Sequence, residues 1–365
     1  MTERVRANAA IGYWELQALR ALASRQGPHR RPQPPRLEDS PNDGDPVDVV
    51  YTWVDGNDPA WLARRRAYEP SAAVADDATA KERFLNLDEL RYSLRSIDRF
   101  APFARRIYVV TADQVPACLD LDHPRVTVVA HSEIFPDPAV LPTFSARPIE
   151  ACLHRIPGLS RHFVYVNDDV FVGAPVDRST FFDDAGGLIV RRRSTHTGMG
   201  DATATDSHFL ATRNAAEHVR DAFGTVPLDT TLAHTPHALD RDLMYEAEQR
   251  FPEAFRDTRA SRFRAPTDVS TIPLAIMLAL ATGRATLRET SKQEYIHATL
   301  GNRNIGHRLR QIEQVRPMFY CLNASPRRDV SLPRQARILR TFLEKMLPTP
   351  SEFEAPVRRP RQVDS

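Results

Sequence analysis

The chain has 365 residues, with 49 basic and 47 acidic side chains and a formal net charge of +2. A charge this balanced gives no field that would indicate a nucleic-acid partner or an anionic membrane surface. Apolar residues make up 42% and charged residues 26%, which is ordinary for a soluble globular protein. The three cysteines are widely spaced without a CxxC pair, which argues against a disulfide framework or a zinc site and suits a reducing compartment.

The first 46 residues are expected to lie outside the folded body. Apolar residues at helical spacing predict a short amphipathic helix at 10–25, and a charged, proline-rich linker follows up to residue 46. The apolar face of this helix, around Trp14, has two interpretations. It docks on a partner or on a membrane surface, or it packs on the folded body of the protein. This segment lacks the continuous apolar core of a signal peptide. We therefore expect a cytoplasmic protein, free or peripheral at the inner face of the membrane, in which 1–46 is dispensable for catalysis.

The folded body is predicted to alternate strands and helices. The predicted strands are short apolar runs at 47–54, 106–112, 125–131 and 162–168. The predicted helices have apolar residues at helical spacing or in a continuous run, at 86–102, 236–251, 272–281 and 334–347. This alternation favours an α/β fold: a mostly parallel sheet flanked by helices, with helical additions toward the C-terminus. In such sheets ligands bind beyond the carboxyl ends of the strands, where Asp55, His131 and 167–169 lie.

The segment "YVNDDVFVG" (165–173) places Asp168 and Asp169 between two apolar runs. Two adjacent ionised carboxylates repel each other and resist burial. At a strand end such a pair can hold a divalent cation on a pyrophosphate, where the metal neutralises charge that develops on the leaving phosphate. It can equally form a solvated turn in which one aspartate caps a helix. The residues alone leave both interpretations open.

Histidine and arginine candidates follow later in the chain. In "AHTPHALDR", His234 and His237 are three residues apart and would share one face of a helix, as a base or phosphate ligand or as solvated capping groups. In "RFRAPTD", the guanidinium of Arg264 has the planar fork that matches phosphate oxygens, with Arg262 as the nearby rival.

Further polar residues have two interpretations each. Asp55 in "TWVDG" contacts a nucleotide or metal, or is a turn residue before Gly56. Arg91 lies on the polar face of the 86–102 helix and either serves the site or pairs with a neighbouring aspartate. Asn323 follows the predicted strand in "FYCLN" and is a candidate ligand for a donor or a metal.

Several long segments, in this order, resemble the characteristic regions of the Stealth family of sugar-phosphate transferases. They are "DVVYTWVDGNDPAW" (48–61), 86–135, 141–173, "LAHTPHALDR" (232–241), "RFRAPTD" (262–268) and "FYCLN" (319–323). The family includes bacterial capsule and exopolysaccharide phosphotransferases and the catalytic part of the lysosomal-enzyme N-acetylglucosamine phosphotransferase. The resemblance implies one composite catalytic domain at 47–356, with a nucleotide-sugar-binding part of glycosyltransferase A-type or Rossmann-like fold at 47–190. A helical and C-terminal part at 191–356 would complete the site, and 357–365 would be a tail.

The resemblance also implies a reaction. An acceptor hydroxyl attacks the phosphorus next to the sugar of a UDP-sugar, UMP leaves, and a phosphodiester joins the sugar to a polysaccharide or other glycan acceptor. The implied catalytic residues are Asp168, Asp169, His234, His237 and Arg264. The two aspartates would also hold Mg²⁺ or Mn²⁺. The implied donor-binding residues are Asp55, Gly56, Arg91, Asn167 and Asn323.

One position departs from the family pattern. The family usually continues "CLN" with an acidic residue, and Ala324 stands there in this chain. An inactive, sugar-binding member of the family is therefore one alternative. A conventional glycosyltransferase, which would release UDP instead of UMP, is the other.

Overall fold

The computed structural model describes residues 45–69, 84–192, 207–228, 231–324 and 329–356. The amphipathic helix and linker predicted at 1–46, with the Trp14 face, lie outside these ranges apart from the last two residues. The predicted tail at 357–365 also lies outside them. Across the described ranges, no helix combines the length and the apolar character that crossing a bilayer requires.

The described part of the chain forms ten strands and ten α-helices, each numbered in chain order. The strands are β1 (Val47–Thr52), β2 (Ala104–Thr111), β3 (Val126–Ala130), β4 (His162–Asn167), β5 (Val170–Val172), β6 (Leu188–Arg192), β7 (His237–Asp240), β8 (Ala285–Glu289), β9 (Tyr295–Thr299) and β10 (Phe319–Asn323). The α-helices are α1 (Pro59–Tyr68), α2 (Glu89–Phe100), α3 (His131–Ile134), α4 (Ala146–Glu150), α5 (Ser207–Phe223), α6 (Arg241–Arg250), α7 (Pro252–Ala260), α8 (Thr271–Ala281), α9 (Ile305–Val315) and α10 (Leu332–Met346).

The central sheet has the strand order β3-β2-β1-β4-β7. Strands β1 to β4 are mutually parallel, and β7 pairs antiparallel with β4. In β1 and β4 every residue but the last is buried, and apart from Asp48 and His162 these buried residues are hydrophobic, as a parallel sheet covered by helices requires. The predicted α/β fold with a mostly parallel sheet is confirmed.

One edge of this sheet collects polar residues from several strands. The parallel strands β1, β2 and β4 all end there. Because β7 runs the other way, its first residue, His237, lies at the same edge, opposite Tyr165 of β4. This direction reversal brings the segment before β7, which carries His234, to the carboxyl ends of the parallel strands.

The helix predicted over 236–251 is wrong in its first turn. Residues His237–Asp240 form β7, and the helix begins only at Arg241. The physical reason is backbone pairing, because the free side of β4 is available to the segment and a strand satisfies both backbones. The Asp240 carboxylate then accepts hydrogen bonds from the amides of Asp242 and Leu243, at 2.8 and 3.1 Å, and so caps the helix. His234 and His237 therefore do not share a helical face.

A second sheet, with the order β5-β10-β9, lies next to the first and is reached through the turn at Asp168 and Asp169. Helix α2 fixes β5 through two buried serines. Ser93 Oγ donates to the carbonyl of Val170 at 2.6 Å, and Ser96 Oγ accepts from the amide of Val172 at 3.0 Å. The turn is thus held at both ends, by β4 in the first sheet and by β5 in the second.

The apolar run near the middle of the second half forms the buried helix α8, as predicted, and eight of its eleven residues are buried. The remaining two strands, β6 and β8, form a small parallel sheet. All three cysteines are unpaired and buried, which agrees with the expectation that no disulfide framework is present.

Candidate functional site

A cavity of about 630 Å³ opens at the polar edge of the central sheet. Residues from both large sheets and from the loops before β7 and after α7 line it. The predicted site residues on its wall are Asn167, Asp168, Asp169, His234, His237, Arg264 and Asn323. Sequence positions more than 150 residues apart therefore meet in one cavity.

Asp169 faces a histidine and a thiol. Its Oδ1 lies 3.2 Å from Nε2 of His234, and its Oδ2 accepts a hydrogen bond from the Cys321 Sγ at 3.5 Å. Its backbone carbonyl accepts from the amide of Leu322 at 3.0 Å. Asp169 is therefore fixed between the loop that precedes β7 and strand β10.

Charge attraction stabilises the pair formed by Asp169 and His234. Burial by itself would lower the pKa of His234, but the adjacent carboxylate of Asp169 raises that pKa above its ordinary value. Burial would likewise raise the pKa of Asp169, but the charge and hydrogen bond of His234 lower it. The result is an ionised aspartate beside a histidine with increased basicity, and the His234 side chain keeps 45% of its surface exposed in the open cavity.

Asp168 faces a different environment. Burial, followed by repulsion from Asp169, raises the pKa of Asp168 to about 7. Burial and repulsion from Asp168 raise the pKa of Glu89 to about 8. Glu89 begins helix α2 and accepts a hydrogen bond from the Leu87 amide at 2.6 Å. Because ionising both of these carboxyls is costly, their surroundings favour a proton or a bound cation between them.

His237 differs from His234 in its charge state. Burial, followed by repulsion from a protonated His234, lowers the pKa of His237 to about 3. The ring is therefore neutral throughout the physiological range. Its strand neighbour Tyr165 bonds through its hydroxyl to Thr52 Oγ1 at 2.9 Å and to Glu150 Oε1 at 3.3 Å. This polar network lines the floor of the cavity beside the neutral histidine.

Arg264 is held by the loop that follows α7. Its Nη1 donates to Ser207 Oγ at 2.9 Å. The loop itself is organised by buried Asp268, which accepts from the Ala265 amide at 2.9 Å and pairs with Arg147 Nη1 at 3.0 Å. The rival Arg262 stacks over Tyr68, with its guanidinium 4.6 Å from the ring centroid, and is not part of the cavity wall.

Three predicted donor-binding residues lie outside the cavity wall. Arg91 pairs with Asp88 at 2.7 Å and with Glu354 at 3.2 Å. The carboxylate of Asp55 accepts from the amide of Asn57 at 2.9 Å, as in a local turn. Gly56 follows in that turn, and its role in donor binding stays a prediction like those of Asp55 and Arg91.

Gly56 packs so closely on its neighbour that it influences the cavity wall. A Cβ placed on Gly56 would lie 1.9 Å from the carbonyl oxygen of Phe84 and 2.5 Å from its Cβ. Only glycine permits this approach. Phe84 is part of the cavity wall, so Gly56 sets the position of an aromatic ring that faces the cavity.

Part of the cavity wall is aromatic. The ring of Trp61 lies 5.1 Å from Phe84 and 5.5 Å from Phe144, measured between centroids. Phe144 in turn stacks on Phe263 at 5.2 Å. Flat aromatic faces of this kind suit a planar or sugar-ring ligand. The cavity therefore combines charged groups with aromatic rings.

Asn323 lies in the cavity wall at the end of β10. Its Oδ1 lies 3.1 Å from Nε2 of His297, which comes from the neighbouring strand β9. Ala324, which departs from the family pattern, also lines the cavity. Asn323 precedes this substitution in the chain, and Thr299 of β9 is the residue that pairs with Asn323 in the sheet.

The acidic turn offers ligands for a metal ion. One ligand atom each from Asp169, His234 and Cys321 lie within 4.8 Å of one another, so these residues can hold a metal. A carboxylate, an imidazole and a thiol together suit a transition metal, whereas Mg²⁺ prefers oxygen ligands. Asp168 and Glu89 supply such oxygens on the other side of the turn. Carboxyls whose pKa values are raised by mutual repulsion fit a divalent cation, which would relieve that repulsion.

Sequence reasoning missed Glu89, Glu150, His297 and Cys321, all of which contact or line the site. Only Glu89 has a recognisable signal. It stands four and seven residues before Ser93 and Ser96, so a polar stripe at helical spacing runs beside the apolar stripe of α2. All three residues of that stripe are buried. Such a stripe indicates a buried polar contact, which here is the acidic turn and strand β5.

Three family models match the chain: Stealth protein conserved region 1 at residues 45–72, conserved region 2 at 83–190 and conserved region 3 at 233–273. Asp168 and Asp169 lie in the second region, and His234, His237 and Arg264 lie in the third. These are the segments that build the cavity wall described above.

Curated relatives are similar over most of the chain. Exopolysaccharide phosphotransferase SCO6023 of Streptomyces coelicolor is 42% identical over 320 residues, which cover 87% of this chain and 53% of the relative. Exopolysaccharide phosphotransferase CpsY of Mycobacterium leprae is 38% identical over 314 residues, which cover 84% of this chain and 57% of the relative. The chain thus spans about half the length of these relatives.

Among solved structures, the galactosyltransferase LgtC in complex with donor and acceptor sugar analogues is 11% identical, with a TM-score of 0.40 over 84% of this chain and 98% of LgtC. That likeness is too distant to bear on the site. The three conserved regions occur in order around one cavity, and relatives with 38–42% identity extend over most of the chain. The chain belongs to the Stealth family.

Proposed function

We propose that this chain transfers a sugar-1-phosphate from a UDP-sugar to a hydroxyl of a glycan acceptor in exopolysaccharide synthesis. The observation that carries the proposal is the pair of Asp169 and His234, 3.2 Å apart in a cavity that Arg264 also lines. A base, a fixed cation and a cluster of carboxyls are the groups that phosphoryl transfer requires. The names of the relatives support the same reaction.

The proposed step exchanges one P–O bond for another. The acceptor oxygen bonds to the phosphorus next to the sugar, and the bond from that phosphorus to the bridging oxygen of the pyrophosphate breaks. UMP leaves with the electron pair of that bond. Because Nε2 of His234 donates to Asp169, Nδ1 carries the lone pair and accepts the proton of the acceptor hydroxyl. Asp169 stabilises the imidazolium that results, as the aspartate does in other carboxylate–histidine pairs.

Arg264 acts on the phosphoryl group in this proposal. Its guanidinium donates to the non-bridging oxygens, on which negative charge spreads during transfer. Asp268 and Ser207 orient the loop and the side chain, so that little reorganisation is needed when the charge develops. His237, which is neutral, is suited to hydrogen bonding with the donor or acceptor rather than to carrying charge.

A divalent cation, Mg²⁺ or Mn²⁺, is part of the proposal. Asp168 and Asp169 would hold it, and when bound it would neutralise charge on the pyrophosphate. The aromatic part of the cavity wall would take the uracil ring or a sugar face. Asn167 and Asn323 would hydrogen-bond the donor. The partners proposed are therefore a UDP-sugar and a glycan hydroxyl.

Nucleotide analysis tests the proposal. The purified protein is incubated with a panel of UDP-sugars and a glycan acceptor, and the released nucleotide is identified. We expect UMP in equal amount to the diester formed, with loss of turnover in EDTA and recovery with Mg²⁺ or Mn²⁺. Release of UDP would identify a conventional glycosyltransferase instead. Binding of a donor without release of any nucleotide would identify an inactive member of the family.

A further inference from the structure

A second cavity, of about 760 Å³, opens beside the first and shares Tyr295 and His297 with it. Strand β9 forms the common wall. Its buried residues alternate with half-buried ones, so that Tyr295, His297 and Thr299 lie on one face while Ile296 and Ala298 pack into the core. A single strand face therefore runs from the candidate active site into the neighbouring space, which we call the basic cavity.

Charge distinguishes the basic cavity from the first. Its lining carries three cations, Lys292, Arg303 and Arg308, and among the described residues that line it the only carboxylate is Asp329. Asp329 lies 3.7 Å from Arg303 and offsets one of the three charges. The side chains of all three cations are exposed and accessible to a ligand.

Most of the other residues that line the basic cavity are polar, with Ile296 as the aliphatic exception. Arg308 donates from Nη1 to Gln311 Oε1 at 3.0 Å, which orients its guanidinium without neutralising it. Thr290, Asn302 and Asn304 add hydroxyl and amide groups, and Tyr295 adds an aromatic face. Arginine, hydroxyl and amide groups beside an aromatic ring suit a sugar that carries a phosphate ester.

The reaction proposed above produces such a ligand. Each transfer leaves a sugar–phosphate–sugar linkage, and every linkage of this kind carries one negative charge. A chain that has already been extended then reaches the site with its terminal hydroxyl preceded by a phosphodiester. When the hydroxyl lies beside His234, the rest of the chain must leave the cavity, and the shared wall at His297 is the side on which the positive charge lies.

We propose that the basic cavity is an acceptor subsite, which binds the phosphodiester of a glycan chain whose terminal sugar lies in the active site. This inference rests on the proposed function, because it takes its ligand from that reaction. Arg308 and Lys292 hold the diester oxygens, and the planar guanidinium of Arg308 matches the geometry of those oxygens. The consequence is a preference for extending a chain that already contains phosphodiesters over starting a new one.

Two acceptors, one with and one without a phosphodiester between its sugars, test the subsite. One probe is a dihexoside with a phosphodiester between its two sugars, closed as a methyl glycoside, and the other is the same dihexoside without the phosphate. We expect the wild-type protein to bind the diester more tightly in titration calorimetry, with affinity that falls as salt rises. The Arg308→Ala variant should lose about tenfold in affinity for the diester relative to the neutral probe, on the scale of one charge-assisted phosphate contact.

Arg310→Ala is the matched control. Arg310 lies two residues further along α9, is equally exposed, and does not line the basic cavity. The proposal predicts unchanged discrimination between the probes in this variant. Equal losses in Arg308→Ala and Arg310→Ala, or equal binding of both probes by the wild type, would overturn it. So would full competition by inorganic phosphate at the concentration of the diester, because the cavity would then bind the bare anion and not the glycan.

Binding measurements separate this inference from the proposed function. If UMP release fails but the diester still binds with the stated charge preference, the reaction is wrong and the subsite stands as a glycan-binding site. If UMP release succeeds and the probes bind alike, the reaction stands and the subsite is wrong. If UMP is released and the diester also binds more tightly, kcat/KM for the diester acceptor should exceed kcat/KM for the neutral acceptor. The ratio of these two values should fall in Arg308→Ala.

Discussion

Asp168 and Asp169 are adjacent in the chain but face opposite chemical surroundings. Asp169 lies between His234 and Cys321, and the positive charge of the histidine lowers its pKa. Asp168 lies toward Glu89, and burial with carboxyl repulsion raises its pKa to about 7. One turn therefore separates an ionised aspartate from one that readily holds a proton.

The difference arises from the two sheets that the turn connects. The strand before the turn belongs to the central sheet, and the strand after it pairs with β10 in the second sheet. Each aspartate therefore takes its neighbours from a different part of the chain. The two identical side chains therefore differ in acidity. In the proposed function Asp169 pairs with His234 for proton transfer, and both aspartates would contribute oxygens to the cation site, which Glu89 extends on the Asp168 side.

The largest effect is expected for His234. The His234→Gln variant removes the proposed base, and loss of a general base typically costs about 10²–10⁴ in rate. In the wild type, activity should fall as the pH falls through the pKa of His234, which Asp169 raises above the ordinary value of about 6.5. A pH–rate profile should lose this acidic limb in His234→Gln and keep it in His237→Gln, because His237 is already neutral. An unchanged limb in His234→Gln would remove the base assignment.

The aspartates should rank next. Asp169→Asn and Asp168→Asn should each lower kcat by at least about a hundredfold, the scale of losing a group that stabilises charge in the transition state. Asp169→Asn should also move the acidic limb to lower pH, and by more than Asp168→Asn does, because the charge of Asp169 raises the pKa of His234 more than the charge of Asp168 does. Asp113→Asn is the matched control, since Asp113 is a 67% exposed aspartate after another strand of the same sheet. Near-normal rates in both Asp168→Asn and Asp169→Asn would show that this turn is structural and not catalytic.

A smaller effect is expected for the arginine. Arg264→Lys keeps the charge but loses the fork, so kcat/KM should fall by roughly tenfold, and Arg264→Ala should lose more. Arg262→Lys provides the comparison, because Arg262 stacks on Tyr68 outside the cavity wall. Steady-state kinetics on the three variants measure the difference. If Arg262→Lys proves as damaging as Arg264→Lys, the phosphate contact is not specific to Arg264.

The smallest effect concerns stability on the Asp168 side. The pKa of Glu89 is raised from 4.5 to about 8, so its contribution to stability is complete below pH 4.5 and is lost as the pH rises through 8. Glu89→Gln has no such loss. In metal-free protein, the unfolding free energy of Glu89→Gln minus that of the wild type should therefore rise between pH 5 and pH 8. The expected rise is on the order of 1–3 kcal/mol. The exposed Glu344→Gln variant is the matched control in denaturant unfolding. If the difference in unfolding free energy between Glu89→Gln and the wild type did not change with pH, the raised pKa of Glu89 would be contradicted.

The sequence predicted the central sheet because its strands are mostly apolar and polar residues stand at their carboxyl ends. That pattern is local, and it placed Asn167, Asp168 and Asp169 correctly at the edge of the sheet. The family resemblance added His234 and Arg264, which lie far along the chain. The structure brings both to the same cavity.

Long-range pairing explains what the sequence did not predict. The segment 237–240 pairs with β4, and no local property of those residues indicates a strand rather than the first turn of a helix. Cys321 lies in β10 and His297 in β9. They reach the site only because β5, β9 and β10 form a second sheet beside the turn. The preference for Arg264 over Arg262 comes from the sequence, and the role of Arg264 stays a prediction. Arg264 lines the cavity and Arg262 does not.

The position of bond cleavage in the donor tests the central claim most directly. A UDP-sugar with ¹⁸O between the sugar carbon and its phosphorus is incubated with the protein and a glycan acceptor, and the label is located by mass spectrometry and ³¹P NMR. Sugar-1-phosphate transfer leaves that bond intact, so we predict that all of the label remains in the phosphodiester product and that the released UMP carries none. Label in released UDP, with no phosphorus in the glycan product, would show attack at the sugar carbon and would contradict the account.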